Sequence, residues 1–93
     1  MYFAHCIIDD SSADKIAQLR PSHLAYVKEF IANIAYGGVC GDAEVPYRSI
    51  CLFLDVENEQ QARDFIANDP YSSVYQSVDI QEFSQKIPFP VEQ

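Results

Sequence analysis

Two segments of almost continuous apolar sequence, residues 2–8 and 48–56, indicate strands that must be covered by other parts of the molecule. The run Ser-Ile-Cys-Leu-Phe-Leu in the second segment is rich in branched and aromatic side chains. The first is apolar at both odd and even positions apart from His5, and it stops at Asp9 and Asp10. A strand with this pattern is predicted to be covered on both faces, by helices on one side and a second subunit on the other.

The first predicted helix follows the first strand. Pro21 suits the first position of a helix because its fixed φ is already helical. We therefore expect a short helical turn over residues 12–19 and a main helix over residues 21–34. The apolar positions of this helix follow the three-and-four spacing of a buried stripe. They are Leu24, Val27, Ile31 and Ile34, widened by Tyr26 and Phe30.

The remaining sequence indicates a second helix and two further strands. Asn58 is positioned to cap the helix, and Gln61 stands at its third position in a capping-box-like pattern. Pro70 prevents this helix from continuing. We expect a glycine-containing strand over residues 36–42 and a final strand in the second half of residues 74–83.

The order of these elements, β-α-β-β-α-β, is that of a ferredoxin-like α+β fold with an antiparallel sheet and helices on one face. At 93 residues we expect a single domain over residues 1–93. The opposite face of such a sheet is apolar and exposed unless another copy covers it, so we predict a homodimer that packs sheet against sheet.

The composition excludes several classes of partner. There are 14 acidic residues against 6 Lys and Arg, the formal charge is -8, and no basic cluster occurs. Nucleic acids and anionic membranes are therefore poor partners. No apolar run approaches the ~18 residues of a membrane-spanning helix, and no signal peptide is recognisable. We expect a cytoplasmic protein whose partner is a small molecule.

The cysteines and histidines do not indicate a metal site or a bound cofactor. Cys6, Cys40 and Cys51 lie in apolar segments without CxxC spacing, and we expect them to be reduced and buried. The only two histidines are His5 and His23. A multi-histidine metal site within one chain is therefore not expected.

Two fragments distant in sequence contain the candidate site residues. RPSHL at residues 20–24 is predicted to open the first helix, and DPY at residues 69–71 to close the second. His23 would then lie in a first helical turn, where the helix dipole favours the neutral imidazole, while a nearby Asp69 favours the imidazolium. The alternative is that His23 and Asp69 merely cap their helices.

Three further residues are candidates for substrate binding. Arg20, beside the histidine, has the charge to hold a substrate carboxylate, although a solvated surface role is the simpler interpretation. Tyr71 and Ser72 follow Asp69 and provide hydroxyl donors for a pocket wall, with aromatic core packing as the alternative for Tyr71.

The two fragments together resemble the YciI-like (YCII-related) family of small bacterial proteins. The resemblance rests on RPSHL, on ANDPY at residues 67–71 and on VYQSVDIQEF at residues 74–83, and it covers nearly the whole chain. It implies a ferredoxin-like protomer, a dimeric α+β barrel and a His/Asp active site in a cleft. Those roles transfer to His23 and Asp69, and the motif also contains Arg20. Some relatives eliminate chloride from chlorinated hydroxyquinols.

The function predicted from these observations is general acid/base chemistry without a cofactor, of lyase or isomerase type, on a small cyclic or aromatic compound. His23 would transfer the proton and Asp69 would orient it. One alternative is a non-catalytic module that binds a small ligand or a partner in the same cleft. A metal-dependent reaction using His5, His23 and Asp69 is a third interpretation, and nothing in the sequence brings those groups together.

Overall fold

The computed structural model describes residues 1–88, and the last five residues of the predicted domain lie outside this range. The strands form one antiparallel sheet, in which Ile34–Cys40 (β2), Ser49–Leu54 (β3), Tyr2–Ile8 (β1) and Tyr75–Glu82 (β4) follow one another from edge to edge. Both α-helices pack on the same side of it, and the predicted ferredoxin-like α+β fold is confirmed. The elements are β1 (Tyr2–Ile8), α1 (Ala13–Glu29), β2 (Ile34–Cys40), β3 (Ser49–Leu54), α2 (Glu59–Asn68) and β4 (Tyr75–Glu82).

The core lies between the sheet and the helices. Strand β1 is central and pairs with β3 and β4, so that Ala4 stands beside Leu52 on one side and Ile80 on the other. These inward-facing positions alternate with outward-facing ones, as the pleat requires. The core is completed by Ile16 of α1, by Ala62, Phe65 and Ile66 of α2, and by Tyr71 and Val74 after it.

The opposite face of the sheet carries a row of aromatic side chains. The Phe53 ring lies between those of Phe3 and Phe83, with centroid distances of 4.9 Å and 4.8 Å. Tyr36, beside Phe53 on β2, is 76% exposed. Within this chain β1 is thus covered on one face only, and the expected cover on both faces requires something outside the chain.

The prediction that Pro21 begins the main helix is wrong. Helix α1 starts at Ala13 and continues through Pro21 as one element. The ring removes a single backbone hydrogen bond on the exposed side of the helix, and side chains on the other side keep α1 packed. Ile16 is buried there, and Leu19 and Tyr26 pack against the core. His23 therefore lies in the helix interior, away from the positive end of the helix dipole.

The apolar stripe predicted for this helix does not face the core. Leu24 and Ile31 are 51% and 60% exposed, and together with Val27 they line a cleft between α1 and the β2–β3 half of the sheet. Helix α1 ends at Glu29 rather than at residue 34, because a single 3₁₀ turn, Ile31–Asn33, leads directly into β2.

The second half of the chain follows the predictions more closely. Helix α2 begins after Asn58, whose side chain accepts the Gln61 N–H, and the Gln61 side chain accepts the Glu57 N–H. The helix stops before Pro70 as predicted, and a 3₁₀ helix, Pro70–Val74, follows it. Strands β2 and β3 lie within two residues of their expected bounds, and β4 is longer than expected. No helix within residues 1–88 is long and apolar enough to cross a membrane.

Candidate functional site

Asp69 is the buried anchor of the site. It ends α2 and begins the following 3₁₀ helix, and its side chain is fully buried. Its Oδ1 accepts the Tyr71 backbone N–H at 2.9 Å, the usual capping bond of a short helix that starts with proline. Asp69 is thus fixed by its own chain turn, and the carboxylate keeps further acceptor capacity.

His23 uses that remaining capacity. Its Nδ1 lies 2.8 Å from Asp69 Oδ1 and 3.0 Å from Oδ2. A carboxylate only accepts hydrogen bonds, so Nδ1 carries the proton and, in the neutral ring, Nε2 presents its lone pair. Nε2 has no hydrogen-bond partner within residues 1–88, and the side chain is 13% exposed where it lines the cleft.

Tyr71 fixes the plane of the imidazole. The two rings are stacked with centroids 3.9 Å apart and an interplanar angle of 10°. Tyr71 is 4% exposed, and burial raises the pKa of its hydroxyl, while the positive charge of Arg20 opposes the shift. It therefore remains a neutral hydroxyl near neutral pH. The stacking and the bond to Asp69 together restrict His23 to one orientation.

Arg20 lies one turn before His23 on α1 and also lines the cleft. Its Nη1 donates to the Tyr47 hydroxyl at 2.8 Å, and this hydrogen bond raises the pKa of the guanidinium further above its ordinary value. No carboxylate within the described part of the chain forms an ion pair with it. The guanidinium thus retains donors for an anionic or oxygen-rich ligand.

The cleft has a volume of about 440 Å³ and is mostly apolar. Its polar groups come from Arg20, His23, Tyr47 and Tyr71, which converge at one end. The rest of the wall is formed by Leu24, Val27, Ile31, Ile34, Gly37, Gly38, Val39, Ile50 and Leu52. Apolar walls with a few convergent polar groups are typical of small-molecule sites.

Gly37 keeps the floor of the cleft open. A side chain at this position would begin 2.8 Å from the Leu52 Cδ2 atom, closer than two carbon atoms normally approach. At this position the strand therefore passes close to a neighbouring side chain of the same sheet.

Ser72 does not reach this cleft. It lines a separate surface depression with Arg63 and Ala67, because consecutive side chains of a 3₁₀ helix point in directions about 120° apart. The structure therefore places its neighbour Tyr71 at the site and directs Ser72 away from it.

Tyr47 was not predicted from the sequence. It lies in the loop between β2 and β3, where no periodic pattern marks it. The loop is held by Asp42, whose Oδ1 accepts the backbone N–H groups of Glu44 and Val45 and whose Oδ2 pairs with Arg48 at 3.1 Å. This folded loop brings the Tyr47 hydroxyl to Arg20. The sequence signal that marks it is the Asx-type turn at Asp42.

The interior behind Asp69 contains two groups that stay neutral. Burial raises the pKa of Cys6 to about 12, with a smaller contribution from the charge of Asp69. Burial likewise raises the pKa of Tyr75, and its hydroxyl is buried without a hydrogen-bond partner among the described residues. Neither group supplies or takes a proton at neutral pH.

The cysteines only partly match the prediction. Within residues 1–88 none of the three is joined in a disulfide, and Cys6 is buried as expected. Cys40 is exposed and Cys51 is half-buried, because both lie on the face of the sheet that the helices leave open. Residues 1–88 contain no cluster of three or more His, Cys, Asp or Glu side chains arranged to hold a metal ion.

A solved structure similar to this chain is that of 5-chloro-2-hydroxyhydroquinone dehydrochlorinase from Burkholderia phenoliruptrix, in complex with 2,5-dihydroxybenzoquinone. The TM-score is 0.80 over 92% of this chain and 96% of that chain, with 19% sequence identity. No protein-family model matches the chain, and no curated protein matches it in sequence. The likeness shows a shared fold.

Proposed function

We propose that this protein is a YciI-like enzyme that performs general acid/base chemistry on a small hydroxylated cyclic or aromatic compound, and that the His23–Asp69 pair is its catalytic centre. The observation that carries the proposal is the oriented imidazole: Nδ1 is bonded to a buried carboxylate and Nε2 faces an apolar cleft. The structural neighbour, a dehydrochlorinase in complex with 2,5-dihydroxybenzoquinone, supports a ligand of this size and type.

The reaction we propose begins with proton abstraction by His23. Nε2 takes the proton of a ring hydroxyl and returns it to a ring carbon, which gives the keto tautomer; this alone is an isomerisation. Where that carbon carries a halogen, deprotonation of a second hydroxyl by Nε2 supplies the electron pair that expels halide from the carbon, which is now sp³. The net change is loss of HX or isomerisation, so no oxidant or reductant is consumed. Asp69 stabilises the imidazolium that forms, since its carboxylate accepts the Nδ1–H throughout.

The other polar residues of the cleft act on the substrate oxygens. Arg20 is positioned to donate to an oxygen that becomes negative when the proton leaves, an interaction that strengthens in the transition state. The neutral Tyr71 hydroxyl is a second donor at the same end of the cleft. The apolar walls exclude water and favour a flat ring. In this proposal His23 is the base, Asp69 and Tyr71 position it, and Arg20 binds substrate.

We also propose that a second copy of this chain covers the open face of the sheet to form a dimeric α+β barrel. The support is the aromatic row of Phe3, Phe53 and Phe83 with the exposed Tyr36 beside it. Aromatic side chains dominate the energetics of protein interfaces, and a row of this kind is costly to leave in water.

Halide release tests the catalytic proposal. Purified protein is incubated under anaerobic conditions with chlorinated dihydroxy- and trihydroxybenzenes, beginning with 5-chloro-2-hydroxyhydroquinone, and chloride is measured. His23→Ala is expected to lower kcat at least about 100-fold, the usual contribution of a general base, with partial rescue by added imidazole. His5→Ala is the matched control, because His5 lies outside the cleft on the open face of the sheet. It should retain full activity, with light scattering to show that its oligomeric state is that of the wild type.

The outcomes separate the two candidate functions. Full turnover in both His23→Ala and Asp69→Asn would eliminate the acid/base mechanism. Binding of 2,5-dihydroxybenzoquinone in the cleft without halide release from any compound of the series would favour the ligand-binding module.

A further inference from the structure

A second cavity of about 410 Å³ adjoins the catalytic cleft. It lies between the start of α1 and the β2–β3 loop, and its walls are mainly the side chains of Ile8, Ala13, Ile16, Ala17, Val45 and Pro46. The two cavities share Arg20 and Tyr47. The hydrogen bond between those two side chains therefore forms the partition between the two cavities.

The partition is rigid on the loop side and adjustable on the helix side. Tyr47 belongs to the loop that Asp42 and Arg48 hold in place, and Gly41 packs directly against the backbone of Val45 and Pro46. Arg20 is a long, exposed side chain on α1. Rotation of Arg20 away from Tyr47 exchanges one hydrogen bond for another to ligand or water, at small net cost. A ligand can thus extend from the catalytic cleft into the second cavity.

The rim of the second cavity is negatively charged. The carboxylates of Asp9, Asp10 and Glu44 line the cavity together with its apolar residues, and Arg20 is the one cation in this lining, so the net charge is negative. None of the three carboxylates forms an ion pair within residues 1–88. Hydrogen bonds from Ser11 lower the pKa of Asp9, so this carboxylate is ionised throughout the neutral range. An apolar cavity with such a rim favours uncharged groups and disfavours anionic ones.

We infer that the second cavity is a subsite for an apolar, uncharged substituent of the substrate, while the hydroxylated ring lies against His23 and Tyr71. The inference rests on the proposed function, because it assigns the ring to the catalytic cleft. The substrate class is accordingly a dihydroxylated or trihydroxylated ring that carries a short alkyl or other uncharged side chain.

Binding of three matched probes tests this inference without any turnover. The probes are resorcinol, 4-butylresorcinol and 4-(2,4-dihydroxyphenyl)butanoate, and their Kd values are measured by calorimetry at neutral pH. Burial of even half of the butyl chain is expected to make 4-butylresorcinol bind about tenfold or more tightly than resorcinol. The butanoate should gain much less, because its carboxylate meets the acidic rim.

Two variants on the exposed faces of the helices show whether the second cavity is where the butyl chain gains its affinity. Ala17→Leu fills the second cavity from an exposed position, and it should remove the gain of the butyl chain while leaving the Kd of resorcinol within about twofold. Ala67→Leu, an exposed alanine of α2 away from both cavities, is the control and should keep the gain. Equal affinity of all three probes, or no binding of 4-butylresorcinol at millimolar concentration, would overturn the inference.

Backbone ¹H–¹⁵N spectra separate this inference from the proposed function. Resorcinol shifts confined to His23 and Tyr71, with no gain from the butyl chain, would leave the catalytic proposal intact and refute the subsite. Butyl-dependent shifts at Ala13, Ala17 and Val45 without any at His23 would support the subsite and contradict the ring position on which the proposed function depends.

Discussion

Replacement of Asp69 by alanine and by asparagine should have very different effects on stability. Asp69 Oδ1 accepts both the Tyr71 N–H at 2.9 Å and the His23 Nδ1–H at 2.8 Å, whereas Oδ2 makes only the longer contact of 3.0 Å with Nδ1. Asparagine retains an oxygen at the Oδ1 position and so keeps both donors paired. Alanine leaves both without an acceptor in a buried site.

The expected magnitudes follow from those bonds. Each buried donor left unpaired costs about 1–3 kcal/mol. The cost for the His23 Nδ1–H is at the lower end of that range, because solvent reaches the half-buried ring. Asp69→Ala should therefore lower the free energy of unfolding by about 3 kcal/mol in total. Asp69→Asn should cost about 1–2 kcal/mol, because both hydrogen bonds lose their charged acceptor while both donors stay paired. A double-mutant cycle with His23→Ala should give a coupling of about 1.5–3 kcal/mol.

Urea unfolding followed by circular dichroism measures these differences at one fixed protein concentration, since any dimer makes the midpoint depend on concentration. Asp64→Ala, an exposed aspartate in the same helix, is the matched control and should lie within about 0.5 kcal/mol of the wild type. An Asp69→Ala variant as stable as Asp64→Ala would contradict this role of Asp69. The same holds if Asp69→Asn loses as much free energy of unfolding as Asp69→Ala.

Three further predictions concern the sheet. Phe53→Glu should convert the proposed dimer to a monomer, as measured by light scattering, whereas Gln18→Glu, at an exposed position of α1, should remain a dimer. A wild-type protein that is monomeric at micromolar concentration would contradict the proposed dimer. The raised pKa of Cys6, about 12 against an ordinary 9.0, means that the folded state holds a proton that the unfolded state releases. The contribution of Cys6 to stability should therefore be constant below pH ~9 and fall above it by up to about 1.4 kcal/mol per pH unit, so that the slope is smaller in Cys6→Ala. The Sγ atoms of Cys40 and Cys51 are 3.8 Å apart, so treatment with peroxide should join them in an intrachain disulfide. Mass spectrometry should show a loss of about 2 Da, which Cys40→Ser prevents. Exclusively intermolecular crosslinks would argue against this pairing.

Strands β1 and β3 were predictable because their residues are apolar at almost every position. The boundary of α1 was not, because the preference of proline for a first turn competes with the packing of the helix on the core. The spacing of Ile16, Leu19, His23 and Tyr26 contains the information, since it continues through Pro21 on one face.

The site was predictable only in part. His23 and Asp69 were identified as separate motifs, and a family resemblance linked them, but local sequence does not determine the distance between a helix interior and a distant turn. Leu24, Val27 and Ile31 have the spacing of a core stripe, and they line the cleft instead because α1 stands away from β2. The position of Tyr47 depends on how the β2–β3 loop folds around Asp42, and the periodicity of apolar residues does not predict the conformation of a loop.

The proposal that Asp69 holds the Nδ1 proton of His23 and leaves Nε2 free as the base is tested by the protonation pattern of His23. This pattern is measured by long-range ¹H–¹⁵N correlation in histidine-labelled protein. His5→Ala assigns the His23 signals. At alkaline pH, with the ring neutral, the account predicts a proton on Nδ1, a bare Nε2, and a change in the Nε2 shift when 2,5-dihydroxybenzoquinone is added. A proton on Nε2 with a bare Nδ1, or an Nε2 that does not respond to the ligand, would contradict it.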